Sequence, residues 1–236
     1  MPAGRSKPGR QNSTVQEKRM KKTDPIAVLF ILAVTALFIH PYTYSVYSEW
    51  YAAAPALLSF LKFAVLATFG EMLVARLQKG RYLPQQFGLL PKAVVWGVLG
   101  VAIWLAFGIF SRGVTATLFP RLIRPDFGMR LLNAFAISFF MNIIFAPVMM
   151  LTHHLSDMYI ERNKGRFPLR SFRMQPLLEG INWQKMWGFV FRKTIPLFWI
   201  PAHTVTFLLP EEVRVLFAVL LSVVLGLLLT VDVLRK

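Results

Sequence analysis

Six nearly unbroken apolar runs alternate with short polar segments along this chain: Ile26–Tyr47, Ala53–Ala75, Ala93–Phe110, Leu131–Leu151, Thr194–Leu209 and Val213–Val233. Each approaches the ~20 helical residues that cross a hydrocarbon core of ~30 Å. The pattern predicts an all-α polytopic transmembrane helical bundle of about six spans. Asp24-Pro25 reads as a helix start, with Asp24 as N-cap and Pro25 at the first helical position. The first run ends near His40-Pro41 or continues, kinked, to Tyr47. Tyr42, Tyr44, Tyr47, Trp50 and Tyr51 form an aromatic belt of the kind found at a membrane interface.

The polar segments set the expected topology. Residues 1–24 are poor in apolar side chains and predict a disordered basic tail, with 25–236 as the transmembrane domain. Lys18, Arg19, Lys21 and Lys22 precede the first run and predict a cytoplasmic N-terminus. The basic segments 76–92 and 152–188 belong on the same side, and both termini are then cytoplasmic. Segment 111–130 carries Arg112, Arg121, Arg124 and Arg130 on the opposite side and is the one counter-signal. Within it, Pro120 and Pro125 bracket a short basic stretch suited to the interface. Gln175–Trp187 reads as an interfacial amphipathic helix, and Glu211-Glu212 as an acidic outer turn. Pro196, Pro201 and Pro210 interrupt the fifth run; half-insertion there would lower the span count and flip the C-terminus. Neither a cleavable signal nor an amphipathic presequence is convincing, so a plasma membrane is expected, with a mitochondrial or peroxisomal membrane as the alternative.

Composition adds limits. The chain has 236 residues, a net charge of +16, 56% hydrophobic residues and 21 Phe, and its mean hydropathy is +0.52. The charge follows the topology pattern rather than a basic face interleaved with aromatics, so nucleic acid is not an expected partner. The expected partners are the bilayer, anionic headgroups at the basic tail and a second copy of the chain. With no cysteine, disulfides, zinc-thiolate sites and thiol nucleophiles are excluded.

Candidate chemistry begins with charges inside apolar runs, each costing ~2.5 kcal/mol or more at the bilayer centre. Lys62 and Glu71 share the second run, nine residues apart and so on opposite helical faces. Lys62 suits snorkelling. Glu71 could meet Arg76 or a neighbouring helix. A polar cavity lined by Glu71, Lys62 and Asn142 is the functional alternative. His203, among Pro201, Thr204 and Thr206, is expected to bond backbone freed by the prolines or to line a pathway. His153, Asp157 and Glu161 share a helix face at four-residue steps, which could hold a metal but more often marks a solvated helix end; no metal or other cofactor is expected. Small or polar residues also recur along helical faces: Ser59, Ala67, Glu71 and Ala75; Ala134, Ser138, Asn142 and Ala146; Ala218, Ser222, Gly226 and Thr230. Such stripes read as packing seams in lipid. No nucleophile elbow, phosphate loop, zinc-protease motif or dinucleotide fingerprint occurs, so catalysis is not expected.

Several of these residues fall in a familiar order. Trp50-Tyr51 with Pro55-Ala-Leu-Leu-Ser59, Gly70-Glu71, and Asn142 with Ala146-Pro147 come first. Phe198-Trp199-Ile200-Pro201-Ala202-His203, Thr206-Phe207, Pro210 and Arg214 follow. Over residues 50–230 the chain distantly resembles the Mpv-seventeen and peroxisomal-membrane-protein family of small integral membrane proteins. It departs where the family has Gln (here Ala75) and the Asp of Asp-Gln (here Met141). The resemblance implies a multi-helix membrane protein with a proposed role as a channel for small solutes. It maps pathway positions onto Glu71, Asn142, His203 and Arg214, and structural motif positions onto Pro147, Trp199, Pro201, Phe207 and Pro210. A small-solute channel or transporter is therefore the expected function, and a non-transporting scaffold that binds lipids or partner proteins is the alternative.

Overall fold

The computed structural model describes residues 24–121 and 125–235. The predicted basic tail, apart from Asp24, and part of the predicted interfacial stretch between Pro120 and Pro125 lie outside these residues. The chain divides into two units, Met1–Tyr44 and Ser45–Lys236. In the first, α1 covers Asp24–Ile39 and stops there; α2, Pro41–Ala53, opens on its proline and belongs mostly to the second unit. The break falls where residue chemistry puts it, because proline suits a first helical turn and disfavours helix in the residue before it.

The second unit carries the remaining helices: α3 (Pro55–Lys79), α4 (Leu89–Leu118), α5 (Phe127–Ile144), α6 (Ala146–Arg162), α7 (Met174–Glu179), α8 (residues 183–208) and α9 (Glu211–Arg235). The described residues are 85% helical and contain no strand. Three of these helices, α3, α4 and α5, are long and apolar enough to cross a membrane, or up to four spans if Asp24–Phe38 and Pro41–Ala53 count as one broken span. Their outward faces are apolar as well. Leu57, Val65, Val98, Ile109, Phe135 and Ile143 are all exposed, more apolar surface than a soluble monomer ordinarily shows to water.

Three predicted elements have different bounds. The run Leu131–Leu151 is two helices, because Pro147 cannot donate to the preceding turn and instead starts α6 just after Phe145. The third run lies in α4, which is longer than its apolar core and carries Arg112 on its last, exposed turns. The expected helix Gln175–Trp187 is interrupted: α7 ends at Glu179, before Gly180, and Asn182 caps a new helix by accepting from the Lys185 amide at 2.9 Å. That new helix, α8, is wound wide with i→i+5 bonding through Met186–Trp199 and returns to α-helix at Ile200–Leu208.

Packing in the second unit follows the small-residue stripes. Ser59, Ala67, Ala75, Ala134, Ser138, Asn142, Ala146 and Ala218 are all buried. Helix α4 lies close against α3 because Gly100 leaves room for the Ser59 carbonyl and Phe63; a Cβ there would sit 2.6 Å and 2.7 Å from them. Gly70 likewise accommodates Val223 of α9. The strongest seam joins α5 to the end of α8, where the Ser138 hydroxyl donates to the Ile200 carbonyl at 2.7 Å. In lipid, where apolar surface gains little by leaving its surroundings, such close approach and interhelical hydrogen bonding hold helices together.

Candidate functional site

A cavity of about 670 Å³ opens between α3, α4, α5, α6, α8 and α9. At one end it reaches the exposed Gln78, Lys79, Gln85 and Glu161. At the other it is blind, walled by Phe63, Ile103, Phe107, Asn142 and His203, all buried. On α4 the lining runs from Lys92 to Phe107, fifteen residues at ~1.5 Å each and so roughly 22 Å of helix.

A charged cluster stands between the mouth and the interior. Lys92 Nζ donates to Glu71 Oε2 at 2.6 Å and to Asp157 Oδ1 at 2.5 Å. Trp96, one turn beyond Lys92, donates its indole N–H to Glu71 Oε1 at 2.6 Å, and His153 Nε2 lies 3.2 Å from the same oxygen. His153 Nε2 is also 3.5 Å from Asp157 Oδ2. The spacings are helical: Lys92 with Trp96 and His153 with Asp157 are four apart and share a face. An ionised carboxylate only accepts, so the His153 proton on Nε2 is assigned by Glu71. Burial alone would lower the His153 pKa. The hydrogen bond to Glu71 and the charges of Asp157 and Glu71 outweigh it, so the ring holds its proton above the ordinary value. Neighbouring His154 is lowered, mainly by burial. With His153 protonated, the two carboxylates are balanced by two cations, the arrangement that low-dielectric surroundings favour.

Glu71, His153 and Asp157 place donor atoms within 4.8 Å of one another, a spacing that could hold a metal ion. The Lys92 ammonium bridges the two carboxylates and supplies the positive charge such an ion would bring. Glu161, the third member of the four-residue series, is exposed and is not part of this group.

The blind end holds a second polar group. Asn142 Nδ2 donates to the Ser138 carbonyl at 2.8 Å and lies 3.1 Å from His203 Nδ1, against 3.3 Å for its Oδ1. The Ser138 carbonyl fixes Nδ2 as the amide nitrogen, and assigning its 3.1 Å contact as the hydrogen bond makes His203 Nδ1 the acceptor and places the ring proton on Nε2. His203 stacks on Trp199 at 5.1 Å and takes the edge of Phe107 at 5.6 Å.

Of the residues singled out in the sequence, Glu71, Asn142 and His203 line this cavity, and Lys62 and Arg214 do not. Lys62 does not snorkel: it is buried, donates to the Tyr47 hydroxyl at 2.8 Å and lies over the Tyr47 and Tyr51 rings. Arg214 binds backbone at the end of α8, donating to the carbonyls of Leu209 at 2.9 Å and Phe207 at 3.3 Å. Glu71 meets α4 and α6 rather than Arg76. His203 bonds Asn142, whereas the carbonyl near the prolines that is most fully satisfied, Ile200, is taken by Ser138 and Thr204. Trp199 and Phe207 are buried beside it, Pro147 starts α6, Pro201 lies in the first turn of the regular part of α8, and Pro210 follows its end. Lys92, Trp96 and Phe107 were not anticipated. Lys92 reads as one more loop cation, and no local pattern marks its pairing with Glu71.

No family model, no curated protein and no solved structure matches this chain.

Proposed function

We propose that this chain is a multi-pass membrane carrier for a small solute, with the cavity as its solute pathway. The observation that carries this reading is the blind, 670 Å³ chamber among apolar helices, with Asn142 and His203 at its closed end and a charged cluster at its mouth. Polar side chains facing an enclosed space within apolar helices mark solute pathways more often than structural seams. Phe107 stands in the buried wall of the blind end, which fits a carrier resting open to one side rather than a standing pore. The distant resemblance to the Mpv-seventeen family, six spans with a cytoplasmic N-terminus, and a plasma membrane belong to the same proposal. So does the absence of catalysis.

The test is reconstitution into liposomes with a panel of small charged and uncharged solutes, alongside Glu71→Ala and Asn142→Ala. Flux above empty vesicles, reduced in both variants, is the expected result; none for any solute refutes transport. A second reading, a scaffold that binds lipid or protein partners, is favoured by the exposed Leu169, Phe172, Trp183 and Trp187 beside Arg166, Arg170 and Arg173. Aromatic and basic residues together suit a headgroup interface. Co-purification of anionic lipid without any flux would favour it.

A further inference from the structure

Two buried residues in the wall of the cavity's blind end carry an N–H with no acceptor among the described residues. Trp199 Nε1 is fully enclosed and unpartnered. The stacked His203 gives Nδ1 to Asn142, and its proton-bearing Nε2 has no partner among the described residues. Both residues are more than nine-tenths buried, at 7% and 8% exposure, and both line the cavity. A buried donor left unmade costs ~1–3 kcal/mol, and native interiors rarely leave one without a reason. Around this pair the walls are soft and apolar: Phe63, Ile103, Phe107 and Met141, with Met149 and Met150 nearer the mouth. Thioethers and rings adapt to a flat or irregular apolar body.

Charge limits what fits. Among the described residues no free cation lines the blind end, because Lys92 is held by Glu71 and Asp157 while Lys62 and Arg214 bind elsewhere. An anion would therefore lie at the blind end without a counter-charge, which is costly in apolar surroundings. A cation would find no carboxylate at the closed end, where an unpaired charge is costly to bury.

We propose that the blind end of this cavity binds an uncharged, largely apolar molecule through an oxygen acceptor, a carbonyl, ether or hydroxyl. The oxygen takes a hydrogen bond from His203 Nε2–H, with Trp199 Nε1–H as the second donor. This assignment rests on the carrier reading for its purpose but not for its test.

The probe is benzophenone, whose ketone supplies the acceptor and whose photochemistry inserts into nearby C–H bonds, applied to the protein in nanodiscs. Peptide mapping is expected to place saturable labelling at Met141, Met149 and Met150. Fluorenone and fluorene, which share a tricyclic body and differ by the carbonyl oxygen, then compete for that labelling. Fluorenone is expected to compete at about three- to tenfold lower concentration, the worth of one neutral hydrogen bond. His203→Phe keeps the stacked ring, removes the donor and is expected to abolish the difference; Trp199→Phe is expected to narrow it. The comparison in the unaltered protein stands even where a variant does not fold. Equal competition by the two, labelling confined to lipid-facing residues such as Val98 and Leu57, or equal labelling by the anionic 4-benzoylbenzoate would each overturn the proposal. Binding without liposome flux would sink the carrier reading alone, and flux without this binding would sink only the present one.

Discussion

Lys92→Met removes the ammonium that bonds both Glu71 and Asp157 most closely, while keeping the side chain's length and apolar stem. In the parent, the three side chains are 14%, 20% and 32% exposed, and the contacts are 2.6 Å and 2.5 Å. Breaking a buried pair from one side costs ~3–5 kcal/mol, mostly because an uncompensated charge stays behind. Partial exposure of the carboxylates screens some of that, leaving about 2–4 kcal/mol. For a domain of this size, ~2–4 °C of Tm accompanies each kcal/mol, so the variant should melt roughly 5–15 °C below the parent. Circular dichroism at 222 nm in a fixed detergent (~222 nm being the helical band) reads the helix loss directly. Adding Glu71→Gln removes the stranded charge, so the double variant should be less destabilised than the two single losses summed, by ~1–3 kcal/mol of coupling. A Tm within a degree or two of the parent, or strictly additive losses, would show that the cluster is not the tie between α3, α4 and α6 described above.

Three further outcomes follow from the same geometry. His153 has a folded pKa raised above its unfolded value of about 6.5; its contribution is therefore full below that pH and is lost as pH rises through the folded value. The parent's Tm should fall over that interval more than that of His153→Gln, and parallel curves would contradict the assignment. Gly100→Ala drives a Cβ onto the Ser59 carbonyl and should cost ~1–3 kcal/mol, whereas Gly108→Ala meets open space and should be neutral or stabilising by up to ~1 kcal/mol; equal effects in thermal melts would refute the close α3–α4 seam. Phe107 lines both the large cavity and a small crevice with Ser111, Arg112 and Glu211. Because the chain has no cysteine, Met150→Cys and Ser111→Cys can be labelled with an impermeant thiol reagent from either face of a vesicle. Each should react from one face, opposite for the two, and Phe107→Ala should let Met150→Cys react from both; labelling of both sites from both faces in the parent would count against a ring septum.

Much of the helical architecture could be read from residue order, because in lipid the backbone must bond to itself and an apolar run has few other ways to do so. The small-residue stripes were equally readable: Ser138 and Ala134 have little side chain to pack elsewhere, and both are buried, Ser138 against the Ile200 carbonyl of α8. Pro147 shows a limit of reading hydropathy alone. The run Leu131–Leu151 stays apolar across it, yet a missing N–H ends one helix and begins another. Lys62 shows a different one, since a lysine near a helix end normally reaches for water, and here the Tyr47 hydroxyl, fifteen residues earlier, is its partner.

Glu71, Asn142 and His203 stood out in the sequence because a polar group inside an apolar run must find a partner. Which partner it finds is a matter of distances between helices. Glu71 and His153 are 82 residues apart, and Asn142 and His203 are 61 apart; neither separation leaves a trace in local periodicity. Residue chemistry alone therefore determined that this chain forms apolar helices and that its few interior polar groups need satisfying. Only the tertiary structure decided that Lys92 and His153 neutralise Glu71 and Asp157, that Phe107 walls the blind end, and that Trp199 and His203 are left with protons to give.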